Sequence, residues 1–484
     1  MATPRIALSG GAYKPLSAGD VERIHETSMA VFEEVGIEVN NDHARRLFAQ
    51  AGARIEGDRL TVPRDLVMDL IGRAPSRVVM CGRDESHDLV LEDRRVHIGT
   101  GGTALNVLDI TTGEKRPATV QDMADLARVC DALEHVHFFM LPVYPHGVPQ
   151  EEADVNRFFP ALFNTTKHVT GGVYTIEGIR KVVQAAEQMA GSPEALRERP
   201  FISMVTCVIS PLKLDRHYGD LLIEVARSGI PLITPTEPLC GSTAPVTLAG
   251  NLVVQNCETL TGVMLAQLVN PGTPVLYGCI SSTVNLHDMR YLSGSVEMGL
   301  LNAASAQLAQ RYGLPIYATA GMSDSKLPDA QAGYEKMATT LLVALAGANY
   351  IHDAVGFLEF CMTASLEQCV IDDEISGMVM RAVEGVRVDD DALAYDVIRS
   401  VGPGGHFIAE EHTVEHMRSE FYFPRLSDRE LREKWEQAGA LDARERARQR
   451  ALSLLSGHRS AVPAAMVEEI CAATPELRYH PAKV

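Results

Sequence analysis

The chain has 484 residues, 46% hydrophobic and 22% charged, a globular composition that excludes disorder as the main state. Its formal charge of −19 argues against nucleic acid or an anionic membrane as the main partner and permits a cationic ligand. No apolar run reaches the roughly 18 residues that span a bilayer, and the start MATPRIALSGGAYKPL lacks the apolar core of a secretory signal. Nine scattered cysteines without a C-x-x-C motif indicate reduced thiols. We therefore expect a cytoplasmic protein with no nucleic-acid or membrane partner.

Residues 1–95 are predicted to form a mainly helical extension. In DVERIHETSMAVFEEVGIEV the apolar residues recur at helical spacing until Gly36, and NDHARRLFAQAGARIEG repeats the pattern. Residues 376–484 are charged and helical in pattern, most clearly in SDRELREKWEQAGALDARERARQRALSLL. Because no low-complexity linker precedes this segment, we expect it to pack on the domain between the two ends.

Residues 96–375 alternate short apolar runs with helical patterns, which indicates a parallel sheet covered by helices. The eight runs end in turn-forming residues and cover 96–102, 136–145, 167–175, 201–211, 231–238, 274–282, 315–325 and 349–357. Eight such strands close a (β/α)8 TIM-type barrel. The predicted fold is therefore α/β, a barrel with helical N-terminal and C-terminal additions. An open doubly wound sheet is the alternative, and the absence of G-x-G-x-x-G after an early strand weakens its dinucleotide-binding version.

The active site of such a barrel lies at the C-terminal ends of the strands, so position alone nominates its residues. Glu237, in TPTEPLCGST, is a candidate base or counter-charge for a cation. His352 and Asp353 follow ANYI and are candidates for proton transfer or for orienting a substrate carboxylate. The alternatives are a solvated or helix-capping glutamate and a buried structural histidine. The strand-end turns nominate further positions, which serve equally well as ordinary turn residues. Candidate cofactor contacts are Gly101, Gly102, Ser281, Gly321, Ser323 and Asp324, and Met322 is a candidate substrate contact.

Two histidine patterns suggest metal ligands. His135 and His137 form an H-x-H motif, but they precede the apolar run FFML and so lie at the wrong end of the strand. HTVEH, with His412 and His416, matches the zinc-peptidase pattern H-x-x-E-H but lies outside the barrel, where a helix with two histidines one turn apart is the simpler interpretation. Neither a P-loop, a G-x-S-x-G elbow nor clustered cysteines are present. We predict no directly bound metal.

Several long stretches carry a family resemblance. They are GTGGTALNVLDITTGEKRPATVQDMADLARVCDAL, YGCISSTVNLHDM, SDSKLPDAQAGYEKMATTLLVALAGAN, EQCVIDDEISGMV and GPGGHFIAEEHTVEHMRSEFYFP. Together they resemble the trimethylamine methyltransferase family over about residues 15–455. The resemblance implies a (β/α)8 barrel with terminal helical additions. It also implies transfer of a methyl group from an amine to the cobalt of a separate corrinoid protein, and a homo-oligomer.

The founding members of this family carry pyrrolysine, at a position that aligns here with Met322. An ordinary residue there implies the branch that includes glycine betaine methyltransferases. We therefore expect the substrate to be a quaternary amine, foremost glycine betaine, and the cobalamin to be carried by a partner protein. The alternatives are another methylated amine (carnitine, proline betaine or trimethylamine) and a non-catalytic betaine-binding protein.

A quaternary ammonium is positively charged at any pH and leaves as a neutral amine, so it needs no proton donor. The protein has to hold the cation, exclude water and direct one methyl group. Aromatic faces suit this cation, and Tyr144, Tyr174 and Phe357 are the strand-end candidates, with Met322 beside them. Glu237 or Asp353 is expected to add a counter-charge. His352 and the backbone N–H groups of the Gly-rich turns are expected to bind a betaine carboxylate.

Overall fold

The barrel is closed. The computed structural model describes residues 8–460 and 462–479. The eight parallel strands lie in the order 1-8-7-6-5-4-3-2, and a parallel bridge between Gly99 and Phe138 joins the first strand to the second. All eight predicted strands are confirmed, and the open sheet is wrong. The strands are β1 (His97–Thr100), β2 (Phe139–Met140), β3 (Val169–Gly172), β4 (Ile202–Val205), β5 (Leu232–Thr234), β6 (Val275–Cys279), β7 (Ile316–Thr319) and β8 (Tyr350–Val355).

Each strand is followed by a helix that returns to the start of the next strand. The helices are α1 (Val120–Ala132), α2 (Ala153–Asn164), α3 (Ile176–Ala190), α4 (Arg216–Ser228), α5 (Leu248–Val269), α6 (Val296–Tyr312), α7 (Ala330–Leu345) and α8 (Leu366–Glu384). Side-chain N-caps fix six of their starts, at Thr119, Thr175, Asp215, Ser295, Asp329 and Ser365. Within the described residues, α5 alone is long and apolar enough to cross a membrane, but 78% of its apolar window is buried in the barrel shell, as in a core helix.

The barrel interior is a second apolar core, separate from the shell between strands and helices. Phe138, Tyr317 and Tyr350 lie in it, with the ring of Phe138 stacked 3.5 Å from that of Tyr350. The hairpin of Val78–Met80 and Leu89–Leu91 packs into the same core from the N-terminal end of the strands. This end of the barrel is therefore filled with side chains, whereas the C-terminal ends of the strands carry long loops. We call those two ends the base and the mouth.

Helical additions at both chain ends are confirmed. The N-terminal helices are Ala18–Ala30, Asp42–Ala51 and Arg64–Ile71; a π-helical turn (Val31–Val35), a 3-10 turn (Glu85–His87) and short strands (Ile37–Val39, Arg54–Glu56 and Arg59–Thr61) accompany them. The strands Arg54–Glu56 and Arg59–Thr61 form a hairpin because RIEGDRLT folds back at Gly57, whose φ is 62°. The C-terminal helices are Asp390–Leu393, Tyr395–Val401, Glu411–His416, Arg432–Gln437, Ala443–Gly457 and Ala464–Ala473. Because α8 runs on to Glu384, we now place the end of the barrel there rather than at residue 375.

The loops at the mouth contain short elements of their own. They are the helix Gln150–Glu152 and the strands Asn106–Leu108, Lys115–Pro117, Lys213–Leu214, Leu239–Cys240, Ser282–Val284, Tyr291–Leu292, Phe357–Leu358 and Thr363–Ala364. A further short helix, Pro193–Glu198, lies at the base, between α3 and β4. Phe357–Leu358 pairs with Thr363–Ala364, which pairs in turn with Asn106–Leu108. The loops after β1 and β8 therefore form one small sheet above the barrel.

Candidate active site

Glu237 lies in a cavity at the mouth, in the loop that follows β5. The cavity has a volume of about 380 Å³, and its lining includes Cys207, Tyr218 and Tyr291. The Glu237 side chain keeps much of its surface accessible, and that surface faces the cavity, which is open at the mouth. Poor hydration, followed by the negative charge of Asp353, raises the pKa of Glu237 to about 7. A bound cation in this cavity would favour the ionised carboxylate.

The Asp353 carboxylate is held rigidly at the C-terminal half of β8. Its backbone has a φ of 64°, a conformation that is strained for any residue but glycine. Its Oδ1 accepts a hydrogen bond from the backbone N–H of Gly102 (3.1 Å), and its Oδ2 lies 3.0 Å from Nδ1 of His352. Gly101 permits this approach, because a Cβ there would lie 1.6 Å from Oδ1 of Asp353. The β1 turn and β8 therefore fit together only with glycine at position 101.

His352 is buried beneath the mouth. Its ring stacks on Tyr317 with centroids 3.8 Å apart, and its Nε2 contacts the hydroxyl of Thr319. Its Nδ1 faces the Asp353 carboxylate within the protein. The structure does not place His352 where it would bind a substrate carboxylate, so we now interpret it as a residue that positions Asp353.

The two carboxylates lie close enough to the same side chains to influence them electrostatically. After burial, the negative charges of Glu237 and Asp353 are among the causes that raise the pKa of Tyr291 and of the Cys361 thiol. The charge of Asp353 also raises the pKa of Tyr317, again after burial. These electrostatic effects occur because side chains from the loops after β5, β6 and β8 lie close together at the mouth. The barrel thereby collects negative charge and aromatic surface around the same space.

The predicted aromatic residues divide into two groups. Tyr144 and Tyr174 are half-buried at the ends of β2 and β3 and meet edge to face, with centroids 5.5 Å apart. The buried guanidinium of Arg157 lies 5.4 Å from the Tyr174 ring centre, so a cation of the protein already covers that ring. Phe357 and Met322 are fully buried and offer a ligand almost no surface. Side-chain packing, which the sequence does not reveal, separates these two groups.

The predicted turn positions mostly bond to neighbouring helices and loops of the protein. Ser323 Oγ donates to Glu335 (2.6 Å), and Asp324 Oδ1 accepts from the backbone N–H of Ser293 (2.8 Å). Gly321 O accepts from the ammonium of Lys336, and Ser281 is buried. The structure therefore does not bring these four, Ser281, Gly321, Ser323 and Asp324, together as a binding surface. The reason is that strand-end turns need partners for their own polar groups.

A buried ion pair ties the ends of β7 and β8 together. Lys336 and Asp372, on α7 and α8, are both fully buried, with Nζ 3.1 Å from Oδ2. Besides its bond to Gly321 O, this pair holds Gly356, whose N–H donates to Asp372 (2.7 Å). Sequence reasoning missed the pair because both residues occur within helical patterns, where a charged residue ordinarily faces water.

Sequence reasoning also missed Cys207, Tyr218 and Tyr291, all of which line the Glu237 cavity. Cys207 lies just beyond β4, so its strand-end position was a usable signal. Tyr218 lies in the first turn of α4, and Tyr291 in a short strand within the loop after β6. No periodicity marks either tyrosine, because loop conformation alone turns them toward the cavity.

The histidine motifs lie away from this site. His137 Nδ1 accepts from the backbone N–H of Ile98 (3.0 Å) at the base, the end predicted for the H-x-H motif. His412 and His416 lie with Asp391 in one cluster whose potential ligand atoms are within 4.8 Å of one another. Arg387 donates to the same Asp391 carboxylate (2.9 Å), so its charge is already balanced.

Comparisons with known proteins show which chains this one is similar to. The sequence family described as "Trimethylamine methyltransferase (MTTB)" matches residues 2–474. The trimethylamine methyltransferase of Desulfitobacterium hafniense (strain DSM 10664 / DCB-2) is 39% identical over 93% of this chain and 90% of its own. The glycine betaine methyltransferase of D. hafniense strain Y51 is 34% identical over 95% of both chains. Among solved structures, the monomethylamine methyltransferase of Methanosarcina barkeri aligns with a TM-score of 0.49 and 12% identity, over 94% of this chain and 96% of that one.

Proposed function

We propose the following function from the premise that the chain belongs to the trimethylamine methyltransferase family and is an amine methyltransferase. The chain moves a methyl group from a quaternary amine, foremost glycine betaine, to the cobalt of a separate corrinoid protein. The single observation that carries the choice of a cation is the Glu237 cavity. The pKa of Glu237 is raised to about 7 by poor hydration and by a second carboxylate. A permanent positive charge in the cavity would therefore stabilise the ionised carboxylate.

Cation binding is the first task of the site. Glu237 supplies the counter-charge, with Asp353 held nearby by Gly102 and His352. The rings of Tyr218 and Tyr291 line the same cavity and offer faces that attract an ammonium group. Because a quaternary nitrogen has no N–H to donate, charge and aromatic surface are the means of recognition available to it.

Methyl transfer is the second task. The corrinoid cobalt supplies the nucleophile that takes the methyl group, while the C–N bond breaks and its electron pair stays on the departing amine. The chain itself holds the ammonium with one methyl group directed out of the mouth and limits the access of water. No side chain has to donate a proton, because the product amine leaves neutral.

The mouth suits a large external acceptor. Its loops expose apolar side chains around the opening, namely Leu105, Leu286, Met289 and Met362. An exposed apolar rim is typical of a protein-binding surface. We propose that the corrinoid protein docks on this rim, that it carries the cobalamin, and that this chain contributes no ligand to the metal.

Trimethylamine is the second candidate substrate, favoured by the 39% identity to a protein named for it. It differs from a betaine because its nitrogen has to be protonated before methyl transfer. Only then can the product, dimethylamine, leave as a neutral amine. Carnitine and proline betaine share the chemistry of glycine betaine, so pocket shape alone would separate them.

The test is methyl transfer to free cob(I)alamin under anoxic conditions, followed by absorption, with glycine betaine, carnitine, proline betaine, choline, dimethylglycine and trimethylamine offered separately. We expect methylcobalamin with one quaternary amine and a loss of about 10²-fold in kcat/KM for Glu237→Gln, since removing one partner of a shielded charge pair costs about 3 kcal/mol. Glu56→Gln, an exposed glutamate of the N-terminal extension, is the control.

Each other outcome decides against part of the proposal. Turnover of trimethylamine alone contradicts the quaternary-amine assignment. Binding of a betaine without methyl transfer, even when a corrinoid protein is supplied, favours a non-catalytic betaine-binding protein.

A further inference from the structure

One wall of the Glu237 cavity comes from the loop after β4. Residues 207–210 line the cavity in succession, and we call them the β4 wall. Beyond them the chain, as Lys213–Leu214, pairs in parallel with Ile37–Val39 of the N-terminal extension. The loop is therefore anchored on β4 at one end and on the N-terminal sheet at the other. The position of the β4 wall between these anchors decides how closely it can contact a ligand beside Glu237.

A strained turn connects the β4 wall to the N-terminal sheet. Leu212 has a φ of 51°, in the left-handed region that a residue with a Cβ rarely adopts. The backbones of Ile209 and Lys213 exchange two hydrogen bonds across the turn, with N–H to O distances of 2.8 and 2.9 Å. A conformation of this kind persists only where the surrounding structure holds it. The turn therefore requires a fixed partner.

Glu258, on α5, is that partner. The side chain is fully buried. Its Oε1 accepts a hydrogen bond from the backbone N–H of Leu212 (2.8 Å), and its Oε2 is hydrogen-bonded to the Ser210 hydroxyl (2.7 Å). A single carboxyl group therefore fixes both the last residue of the β4 wall and the strained residue of the turn.

The contribution of Glu258 is hydrogen-bond geometry rather than charge. Burial raises its pKa to about 8, although its hydrogen bonds act in the opposite direction. At neutral pH the group is therefore mostly the uncharged acid, which has one acceptor and one donor. It adds little negative charge to that of Glu237, the carboxylate that faces the ligand.

We propose that Glu258 is a positioning residue of the methyl-transfer site. Through Ser210 and Leu212 it holds the β4 wall against the bound ammonium group, and it thereby sets the KM for the methyl donor. The proposal rests on the proposed function, because it takes the Glu237 cavity as the place where the methyl donor binds. Glu258 itself acts from behind the wall and has no contact with the donor.

The test compares two substitutions of Glu258 in the full chain, with glycine betaine as methyl donor and cob(I)alamin as acceptor. Glu258→Met removes both hydrogen bonds, so the KM should rise by about 10-fold, the lower end of what one misplaced apolar contact costs. The kcat should change by less than about 3-fold, because the wall contacts the ground state and the transition state alike. Glu258→Gln keeps one acceptor and one donor and should recover most of the lost affinity.

A second measurement follows the β4 wall without relying on methyl transfer. Cys207 lies in the wall, and its alkylation by iodoacetamide can be located by peptide mass spectrometry. We expect faster alkylation of Cys207 in Glu258→Met than in the wild type or in Glu258→Gln. Circular dichroism separates a local change of the wall from unfolding.

Glu374→Met is the matched control. Glu374 is a buried glutamate of α8, and its carboxylate likewise holds a loop by accepting from the backbone N–H groups of Arg425 (2.8 Å) and Ser427 (2.8 Å). That loop lies outside the Glu237 cavity. The substitution should therefore leave the KM and the alkylation of Cys207 unchanged, even where it lowers the Tm.

Three results would overturn the proposal. The first is a folded Glu258→Met protein with the KM of the wild type. The second is a raised KM with unchanged alkylation of Cys207, since the wall would then not have moved. The third is a Glu258→Gln protein as impaired as Glu258→Met, which would make charge the cause.

Two further outcomes keep the test decisive. If Glu258→Met does not fold, Glu258→Asp, which withdraws the carboxyl group by one methylene, takes its place under the same criteria. If the wild type turns over none of the amines offered, the proposed function fails. The alkylation rate of Cys207 then decides by itself whether Glu258 holds the wall.

Discussion

The mouth and the base of the barrel use the same kinds of residues in opposite ways. At the mouth, Glu237 and Asp353 are carboxylates without a nearby cation of their own, fixed by backbone strain and glycine contacts. At the base, the carboxylates of Asp391 and Asp396 are paired with arginine while apolar side chains face outward. Carboxylates that lack a cationic partner beside a cavity indicate a site for a charged small molecule, whereas carboxylates paired with arginine stabilise the chain itself. The predictions below test this contrast.

The largest effect is expected at the buried pair behind the mouth. Lys336→Met leaves Asp372 as an uncompensated charge, which should lower the free energy of unfolding by about 3–5 kcal/mol. Arg73→Met removes one partner of the exposed pair with Asp69 and should cost less than about 1 kcal/mol. Denaturant unfolding measures both. Equal losses in the two variants would contradict the structural role of the buried pair.

The next effect concerns the fit between Gly101 and Asp353. Gly101→Ala has to displace the Asp353 carboxylate, because the new Cβ would lie 1.6 Å from Oδ1. We expect kcat/KM for methyl transfer to fall by about 10²-fold, the usual consequence of a misplacement of about 1 Å. Gly172→Ala, at the end of β3, is the matched control, since its Cβ would meet nothing within 4 Å. A fully active Gly101→Ala protein would remove Asp353 from the site.

A smaller effect should follow from the titration of Glu237. Its pKa of about 7 in the folded protein exceeds the ordinary 4.5, so the folded state binds more protons than the unfolded state between these values. This contribution to stability is therefore present at low pH and is lost as the pH rises toward 7. Glu237→Gln should have a higher Tm than the wild type at pH 8 and a similar one at pH 5. A Tm difference that does not change with pH would contradict the shifted pKa.

The smallest effect is expected for the histidine cluster at the base. His416→Gln removes an ion pair with Asp391 and should cost less than about 1 kcal/mol without changing methyl transfer at the opposite end. Activity assays and metal analysis of the purified wild type and variant provide the test. Stoichiometric zinc in the wild type that disappears in the variant would show that HTVEH is a metal site.

Much of the fold could be predicted because its signals are local. Eight apolar runs, each followed by a helical pattern, are sufficient to indicate a barrel, and strand-end position was sufficient to place Glu237 and Asp353 at the mouth. The same rule also selected Phe357 and Met322, which are buried, and Ser323 and Asp324, which hydrogen-bond to α7 and to the loop after β6. A strand-end position brings a residue near the mouth but does not fix the direction of its side chain.

The sequence by itself determined the eight barrel strands, their alternation with helices and the family, because periodicity, caps and long motifs can be read along the chain. Only the tertiary structure decided which side chains share the mouth. Tyr218, Tyr291 and Cys207 reach Glu237 from three separate parts of the chain, and Lys336 meets Asp372 between two helices. The pKa of Glu237 was decided in the same way. Hydration, burial and charge pairing depend on distances between residues far apart in sequence, and only the closed barrel sets those distances.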